Sequence, residues 1–487
     1  MIQPGEQEYL RLAGQYNLVP VYTEYQTDTE TPITLFLRLA GDGPACLLES
    51  VEGGRHLGRY SFIALDPLAT VTSTNGRGRV VYPDGSAQDA GGPPLEALER
   101  LMSGFTVPPV RELPRFYAGA VGFVAYDAVR SLEKLPGSPA DEMGIPDCLQ
   151  FLPGAVIIFD HVRHAVTFVV NYPVDGAEPA ATYRRSLARL EEMKAALQKP
   201  LPEPDGFALR GEIRPDLTED EFVRRVEKAL EYIRAGDIIQ VVLSRRYAVG
   251  FAGDDFAVYR RLRSVNPSPY MFYFNLGDIK VIGSSPEMLV RVENGTVTTC
   301  PIAGTRPRGN SPAEDAALAE EMLGDEKERA EHLMLVDLGR NDLGRVCAPG
   351  TVRVPRFMDV EYFSHVMHIV SRVEGKLAAG TGALGALEAC FPAGTVSGAP
   401  KVRAMEIIDE LEPYRRGVYA GAAGYVGFNG NMDTAISIRT LVIKDNTAYI
   451  QAGAGIVADS DPHRECLEIA GKAGAIFRTL GLEEKSY

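Results

Sequence analysis

The sequence predicts an α+β fold, and two patterns carry this prediction. The first half of the chain has short runs of alternating apolar and polar residues, separated by turn residues, as in an antiparallel sheet. The second half has runs of strands followed by runs of helices, without the strict alternation of a doubly wound parallel sheet. Apolar residues make up 45% of the chain and charged residues 24%, as in an ordinary globular protein.

The first half ends at a segment rich in chain breakers. Strand patterns at 60–65, 78–82 and 155–160 come first, and an amphipathic pattern then predicts a helix over 182–198. Residues 199–217 contain four prolines and two glycines, which predicts a connector without regular structure.

This connector divides the chain into an N-terminal region, 1–200, and a second region, 215–480. The second region opens with a helix, because Thr218 and Glu221 have the spacing of a capping box and Gly236 ends the apolar periodicity. A buried strand is predicted at 238–243. Further strands are predicted at 271–275, 280–283, 289–293, 297–300, 424–428, 433–443 and 447–452, and further helices at 313–323, 327–338, 383–389, 400–411 and 462–480.

Charge and composition exclude several classes of protein. The formal net charge of −15 argues against a nucleic-acid partner or an anionic membrane partner, since both bind basic surfaces. None of the six cysteines forms a C-x-x-C pair, so reduced thiols are expected rather than a zinc or iron–sulfur site. The first residues are acidic, unlike a signal peptide, and no apolar run approaches the length of a membrane span. The cytoplasm is therefore the expected location.

Two predicted helices carry pairs of glutamates three residues apart. Glu328 and Glu331 form one pair, and Glu465 and Glu468 form the other. Residues with this spacing share a helix face, and four converging carboxylates need a cation between them. Mg²⁺ suits such a site because it takes few carboxylates together with waters and an anionic ligand. The alternative is that both pairs lie on solvated helix faces.

Three glycine-containing segments and an arginine are candidates for anion recognition. Gly304-Thr305, Gly394-Thr395 and the segment 451–455 each follow or precede a predicted element, where backbone N–H groups can approach an anion. Ordinary turns are the alternative. Arg439 lies in a predicted apolar strand, which suits either carboxylate recognition or an internal ion pair.

Taken together, these segments resemble the chorismate-utilising enzymes, which include the anthranilate, aminodeoxychorismate, isochorismate and salicylate synthases. The family's fold is α+β, with large mixed or antiparallel sheets packed as a sandwich core and helices outside. The resemblance covers residues 215–480 in order and extends to the first half of the chain. The matching segments are IIQVVLSRR (238–246), SSPEMLVR (284–291), PIAGTRPRG (301–309), ERAEHLMLVDLGRNDLGRV (328–346), VMHIVS (366–371), FPAGTVSGAPKVRAME (391–406) and QAGAG (451–455).

The resemblance implies a role for each matched residue of the second region, which would be the chorismate-binding catalytic region. Glu331 and Glu468 would bind Mg²⁺ directly, and Glu328 and Glu465 would support it through water. Glu287 would protonate the departing C4 hydroxyl. His368 and Thr395 would assist the loss of pyruvate. The residues that would bind the substrate are Gly304, Thr305, Tyr419, Arg439, Gly453, Ala454, Gly455 and Lys472.

Two positions favour one branch of the family. In this family, members that add water carry a lysine as general base where this chain has Gln240, and aminodeoxychorismate synthases often have lysine where this chain has Ala303. The chain is therefore similar to the large subunit of the anthranilate synthases, which are carbon–oxygen lyases of tryptophan biosynthesis. Aminodeoxychorismate synthase component I is the alternative.

The same resemblance implies two further partners. The chain has no G-x-C-x-G motif, so ammonia would come from glutamine through a separate amidotransferase subunit. Tryptophan would be a feedback inhibitor bound in the N-terminal region and beside it. The residues that resemble this inhibitor site are Leu48, Glu49, Ser50, Asn266, Pro267, Ser268, Tyr270 and Met271.

Overall fold

The protein was analysed as a computed structural model that describes residues 1–51, 58–176, 178–203, 205–363 and 366–482. Eleven α-helices lie in these residues: Glu6–Ala13 (α1), Pro32–Leu39 (α2), Pro94–Ser103 (α3), Pro179–Ala196 (α4), Glu219–Ala235 (α5), Asp255–Val265 (α6), Pro312–Gly324 (α7), Glu326–Gly344 (α8), Ala383–Cys390 (α9), Lys401–Leu411 (α10) and Pro462–Leu480 (α11). Two 3-10 turns, Tyr126–Ser131 and Gly394–Val396, accompany them.

The same described ranges contain 22 β-strands. They are Val21–Gln26 (β1), Ala45–Glu49 (β2), Tyr60–Thr74 (β3), Arg77–Val81 (β4), Ala87–Asp89 (β5), Gly119–Val124 (β6), Cys148–Asp160 (β7), Ala165–Val170 (β8), Phe207–Pro215 (β9), Gln240–Gly253 (β10), Tyr270–Leu276 (β11), Ile279–Ser285 (β12), Met288–Glu293 (β13), Thr296–Thr299 (β14), Ile302–Pro307 (β15), Arg353–Tyr362 (β16), Val366–Lys376 (β17), Gly398–Ala399 (β18), Ala422–Gly427 (β19), Met432–Ile436 (β20), Thr440–Lys444 (β21) and Thr447–Ile456 (β22).

The strands join into one antiparallel network that crosses both halves of the sequence. The long strands β3 and β7 pair with each other at its centre. From β3 the network runs through β2, β11, β12 and β21 to β22 and β10. From β7 it runs through β6, β19, β20 and β13 to β14 and β17. The pairs β2–β11 and β6–β19 therefore join the N-terminal region to the second region.

Apolar side chains pack in two main clusters around this network. Aromatic rings from both arms fill one cluster between the sheets, including Phe62, Phe151, Phe272 and Tyr425. The larger cluster packs helices such as α5 and α11 against the outer strands. Strands of alternating pattern must bury their apolar faces against another layer, which produces this arrangement. The predicted α+β fold with large antiparallel sheets is confirmed.

Local sequence signals explain the helix that opens the second region. Thr218 and Glu221 form the predicted capping box, and Gly236 ends α5 with a φ of 82°. Such a left-handed end costs glycine little, because glycine has no Cβ. In the part of the chain that the structure describes, no helix is long and apolar enough to cross a membrane.

Two predicted elements are wrong. Residues 207–215 of the predicted connector form β9, which pairs with β10 and so gains its structure from a distant strand. The single strand predicted at 433–443 is instead two strands, β20 and β21, which pair with different neighbours. Arg439 lies in the link between them with a φ of 52°, not in a strand.

Candidate active site

Lys472 on α11 joins several of the predicted site residues. Its ammonium donates to the Gly453 carbonyl of β22 at 3.0 Å and pairs with Glu468 Oε1 at 2.6 Å. Its own backbone carbonyl accepts a hydrogen bond from Arg439 Nη1 at 2.6 Å. Because α11 packs on β22, the helix brings a carboxylate and an ammonium to the strand that carries the glycines.

The guanidinium of Arg439 has one hydrogen-bond partner among the described residues, the Lys472 carbonyl. Burial lowers the pKa of Arg439, and the nearby Tyr419 and Glu468 oppose that change. No ion pair to Arg439 is present within the residues that the structure covers, so the alternative of an internal ion pair receives no support. A largely buried guanidinium whose described partner is a carbonyl still has donors available for a carboxylate.

Gly453 and Gly455 have no room for a side chain. A Cβ on Gly453 would lie 2.5 Å from Tyr419 Oη, and one on Gly455 would lie 2.6 Å from Gln240 Nε2. Both glycines therefore let polar groups approach the backbone of β22 closely. Ala454 between them is buried, with its side chain on the opposite face of the strand, so only its backbone can serve the site.

His368 on β17 lies opposite Thr305 of β15. Its Nδ1 lies 2.9 Å from the Gly304 carbonyl and 3.1 Å from Thr305 Oγ1. Because a carbonyl only accepts, this contact places a proton on Nδ1 and leaves Nε2 as the acceptor. Burial lowers the pKa of His368, and the charge of Arg439 adds to that effect, so the ring is neutral at neutral pH.

The two glutamate pairs lie near the same two lysines. Burial, followed by the charge of Glu328, raises the pKa of Glu331. Burial raises the pKa of Glu465, which also lies near Glu468. The ammonium groups of Lys327 and Lys472 lower the pKa of both Glu331 and Glu465, so the pairs on α8 and α11 share the same cations.

This arrangement fits a cation, although the carboxylates do not form a closed ligand set. Among the described residues, no three His, Cys, Asp or Glu side chains meet closely enough to hold a metal. Glu465 Oε2 is buried with no hydrogen-bond partner, while Glu328 Oε1 bonds Arg306 at 3.0 Å. Carboxylates with raised pKa values and an unpartnered oxygen are suited to an open site in which Mg²⁺ keeps waters and takes a ligand oxygen.

Glu287, just before β13, is half-buried beside Thr395. Burial raises the pKa of Glu287 to about 7, and Thr395 and Lys472 oppose that rise. The Thr395 hydroxyl lies near the carboxyl, but its geometry falls short of a regular hydrogen bond, so it stays buried without a settled partner. A protonated carboxyl of this kind is an acid able to act near neutral pH.

The turn that carries Thr395 packs tightly on α8. A Cβ on Gly394 would lie 1.8 Å from Leu338 Cδ2, so any larger residue here would displace that side chain. Glu287, Thr395 and Leu338 line one cavity. The predicted catalytic residue and the helix of the first glutamate pair thus meet at the same cavity.

Five of the eight predicted inhibitor residues line a separate cavity. Leu48, Glu49, Ser50, Tyr270 and Met271 line it. The pairing of β2 with β11 brings these two segments together, with Met271 opposite Glu49. The Ser50 hydroxyl is buried and has no hydrogen-bond partner.

The other three residues of that prediction lie in the preceding loop. Asn266, Pro267 and Ser268 are not among the described residues that line the cavity. Asn266 instead bonds Ser284 Oγ at 2.7 Å, and the Ser268 carbonyl accepts from Val51 N at 3.2 Å. These contacts hold the loop against the strands rather than expose its side chains to the cavity.

Comparison with known proteins gives the family of this chain. A family model described as chorismate binding enzyme matches residues 43–478. The anthranilate synthase component 1 of Acetivibrio thermocellus is 46% identical, over 99% of both chains, and that of Pseudomonas putida is 47% identical, again over 99% of both. The crystal structure of anthranilate synthase component I from Streptococcus pneumoniae has a TM-score of 0.77 and 39% identity, and the match covers 93% of this chain and 98% of that one.

The chain belongs to the anthranilate synthase component 1 group of the chorismate binding enzymes. The predicted family is therefore confirmed. The fold alone does not separate the branches, since the menaquinone-specific isochorismate synthase of Escherichia coli has a TM-score of 0.73 at 21% identity. The choice between branches depends on the level of sequence identity and on particular side chains.

Sequence reasoning did not include several charged residues beside these sites. Arg306 binds Glu328, and Arg291 pairs with Asp433 at 2.8 Å across β13 and β20, in the cavity lined by Leu48 and Tyr270. Tyr270 Oη donates to Asp433 at 3.1 Å, and Arg115 pairs with Asp433 at 3.2 Å. The sequence signal that could have indicated these residues is a charged residue inside an otherwise apolar strand, because such a residue is rarely buried without a partner.

Proposed function

We propose that this chain is the large subunit of an anthranilate synthase and converts chorismate and ammonia to anthranilate, pyruvate and water, the first step of tryptophan biosynthesis. Full-length identity of 46–47% to proteins of that name supports the assignment. The observation that carries the choice of nucleophile is Gln240, whose amide lies against Gly455 and interacts with the Glu331 carboxyl. A neutral amide cannot deprotonate water, whereas ammonia already has a lone pair.

Chorismate is a dianion, so its pocket needs positive charge and donors. We assign the enolpyruvyl carboxylate to Arg439, Tyr419 and the backbone of Gly453 and Gly455. The guanidinium of Arg439 supports this role, because it is largely buried with donors to spare. The ammonium of Lys472, fixed by the Gly453 carbonyl and Glu468, completes the pocket, with Gly304 and Thr305 as further members.

Glu331 and Glu468 would hold Mg²⁺ directly, with Glu328 and Glu465 assisting through water. The raised pKa values of Glu331 and Glu465 support this assignment, because burial and a neighbouring glutamate both disfavour the charged carboxylate, and a bound cation would offset that cost. When bound, the ion would neutralise the ring carboxylate of chorismate.

Two proton transfers are assigned to residues of the chain. The Glu287 carboxyl gives its proton to the C4 hydroxyl, which leaves as water while ammonia bonds to the ring at C2. Its pKa of about 7 keeps much of the carboxyl protonated at neutral pH. In the second step the free Nε2 of neutral His368 accepts the C2 proton and the bond from C3 to the enolpyruvyl oxygen breaks, which makes the ring aromatic. The departing enolpyruvate takes up a proton at its methylene carbon to become pyruvate, with the buried Thr395 hydroxyl nearby.

The source of nitrogen tests the proposed function. The purified chain, given chorismate and Mg²⁺, should form fluorescent anthranilate with ammonium salts but not with glutamine, because a separate amidotransferase would supply ammonia. Pyruvate measured in the same samples should equal anthranilate. Glutamine-dependent formation of anthranilate by the pure chain would contradict the separate amidotransferase.

We also propose that tryptophan inhibits the enzyme by binding in the cavity lined by Leu48, Ser50 and Tyr270. Ser50→Phe should fill this cavity and weaken inhibition at least about tenfold, while turnover of chorismate changes little. Ser50→Ala is the matched control, because it removes the same hydroxyl without filling the space. The tryptophan concentration for half-maximal inhibition is the measurement. Equal inhibition of Ser50→Phe and the parent, or an uninhibited parent, would count against this cavity.

A further inference from the structure

One edge of β10 is completed by side chains rather than by a neighbouring strand. β10 pairs with β18 at Gln240 and Val241, and with β9 only from Tyr247 onward. Between these pairings, the Val242 carbonyl accepts from Arg416 Nη2 at 2.7 Å, and Ser244 N donates to Glu412 Oε1 at 2.8 Å. Buried backbone groups need partners, so these two side chains substitute for a strand.

Arg416 uses each of its nitrogen atoms in this position. Nε and Nη2 bind the Glu412 carboxylate at 2.8 and 2.6 Å, and Nη1 donates to the Val396 carbonyl at 2.7 Å. Its side chain is only 1% exposed. The guanidinium also lies over two rings, 4.7 Å from the centre of Tyr126 and 5.6 Å from that of Tyr419.

These contacts join three parts of the proposed active site. Val396 directly follows Thr395, and both belong to the 3-10 turn that packs on α8. Val242 is two residues from Gln240 and lies opposite Gly455 in the register of β10 and β22. Tyr419 contacts Gly453. The guanidinium of Arg416 therefore contacts the turn that carries Thr395, the strand that carries Gln240, and the ring of Tyr419.

We propose that Arg416 is a positioning residue for the proposed reaction: paired with Glu412, it sets the distance between the turn of Thr395 and the strand that begins at Gln240. This inference rests on the proposed function. Lysine cannot replace arginine here, because one ammonium cannot hold a carboxylate and two carbonyls in a planar fork. A small misplacement of reacting groups lowers turnover strongly, which distinguishes a positioning role from a contribution to stability alone.

Arg245 provides a matched control on the same strand. It is also a buried arginine, and it donates from Nε and Nη2 to the Leu217 carbonyl at 3.1 and 2.6 Å. Leu217 lies outside the proposed active site. Arg245→Lys therefore introduces a similar defect in burial and hydrogen bonding without touching the turn of Thr395.

The test compares steady-state turnover of Arg416→Lys and Arg245→Lys, each well below its melting temperature. Arg416→Lys should lower kcat by about 10- to 100-fold, and Arg245→Lys by less than about twofold. In a double-mutant cycle with Thr395→Ala, the losses from Arg416→Lys and Thr395→Ala should be less than multiplicative, because both act through one turn. Equal turnover of the two lysine variants, or multiplicative losses in the cycle, would overturn the inference.

Two provisions keep this test decisive. If Arg416→Lys does not fold, Glu412→Gln replaces it under the same criteria, because it also breaks the ion pair that orients the guanidinium. Turnover is measured as loss of chorismate, relative to wild type. A wild type that makes a product other than anthranilate would refute the proposed function, while the comparison of the two arginines would still decide the role of Arg416.

Discussion

Replacing Glu287 by glutamine should lower anthranilate formation by about 10²- to 10⁴-fold, the range expected for loss of a general acid. The amide keeps the shape of the half-buried side chain but cannot give a proton to the C4 hydroxyl. The measurement is kcat at saturating chorismate and ammonium, with thermal unfolding as a check on the fold. Glu293→Gln, at the exposed end of the same strand, is the control and should leave kcat unchanged. A Glu287→Gln enzyme with more than about a tenth of wild-type activity would contradict the assignment.

The pH dependence of the wild type tests the same residue. Burial raises the pKa of Glu287 to about 7, and only the protonated form can act as the acid. Activity should therefore fall as pH rises through about 7, provided that the concentration of free ammonia is held constant. The ionised form accumulates above that pH, so the sign of the change is fixed. A rate that stays constant across this range would argue against Glu287 as the proton donor.

Glu468→Ala should lower Mg²⁺-dependent turnover by more than about 100-fold, since loss of even an outer metal partner costs up to that amount. The substitution removes a proposed ligand and leaves the neighbouring Glu465, which is buried with an unpartnered oxygen, without a shared cation. Glu468 itself is half-exposed, so the fold should tolerate the change.

Two measurements on Glu468→Ala separate metal binding from other losses. One is the Mg²⁺ concentration that gives half-maximal turnover, and the other is calorimetric binding of Mg²⁺ in the presence of chorismate. Glu326→Ala, an exposed glutamate in the first turn of α8, is the control and should behave as wild type. Wild-type Mg²⁺ dependence in Glu468→Ala would show that this carboxylate does not hold the metal.

Local signals were sufficient to predict elements whose ends are fixed by neighbouring residues. The helix α5 is the plainest case, because Thr218, Glu221 and Gly236 specify its two ends without any distant contact. The strand β9 could not be predicted in this way. Its prolines and glycines resemble a connector, and the strand forms only because β10 offers an edge for pairing.

The break at Arg439 was missed for a related reason. Residues 432–444 carry apolar residues on both faces and contain no glycine or proline, so the sequence pattern does not show where one strand ends and the next begins. The break is required because β20 pairs with β13 and β19, while β21 pairs with β12 and β22. This tertiary requirement turns Arg439 out of the strand and towards Lys472.

Resemblance indicated the residues of the candidate site, but only the structure shows what holds them in place. The approach of Tyr419 to Gly453, and of Gln240 to Gly455, joins residues far apart in the sequence. The role of Arg416 could not be predicted from the sequence either, because a single arginine near a helix end resembles a surface residue until its burial is known.

The central claim is that this chain adds ammonia, and not water, to chorismate and then releases pyruvate. The most direct test separates the products that the wild-type chain forms from chorismate and Mg²⁺, in paired reactions with and without ammonium. With ammonium, the account predicts anthranilate and pyruvate in equal amounts, and without it little or no isochorismate, because Gln240 is no base. Isochorismate formed without ammonium at a rate near that of amination, or aminodeoxychorismate as the final product with ammonium, would contradict the account.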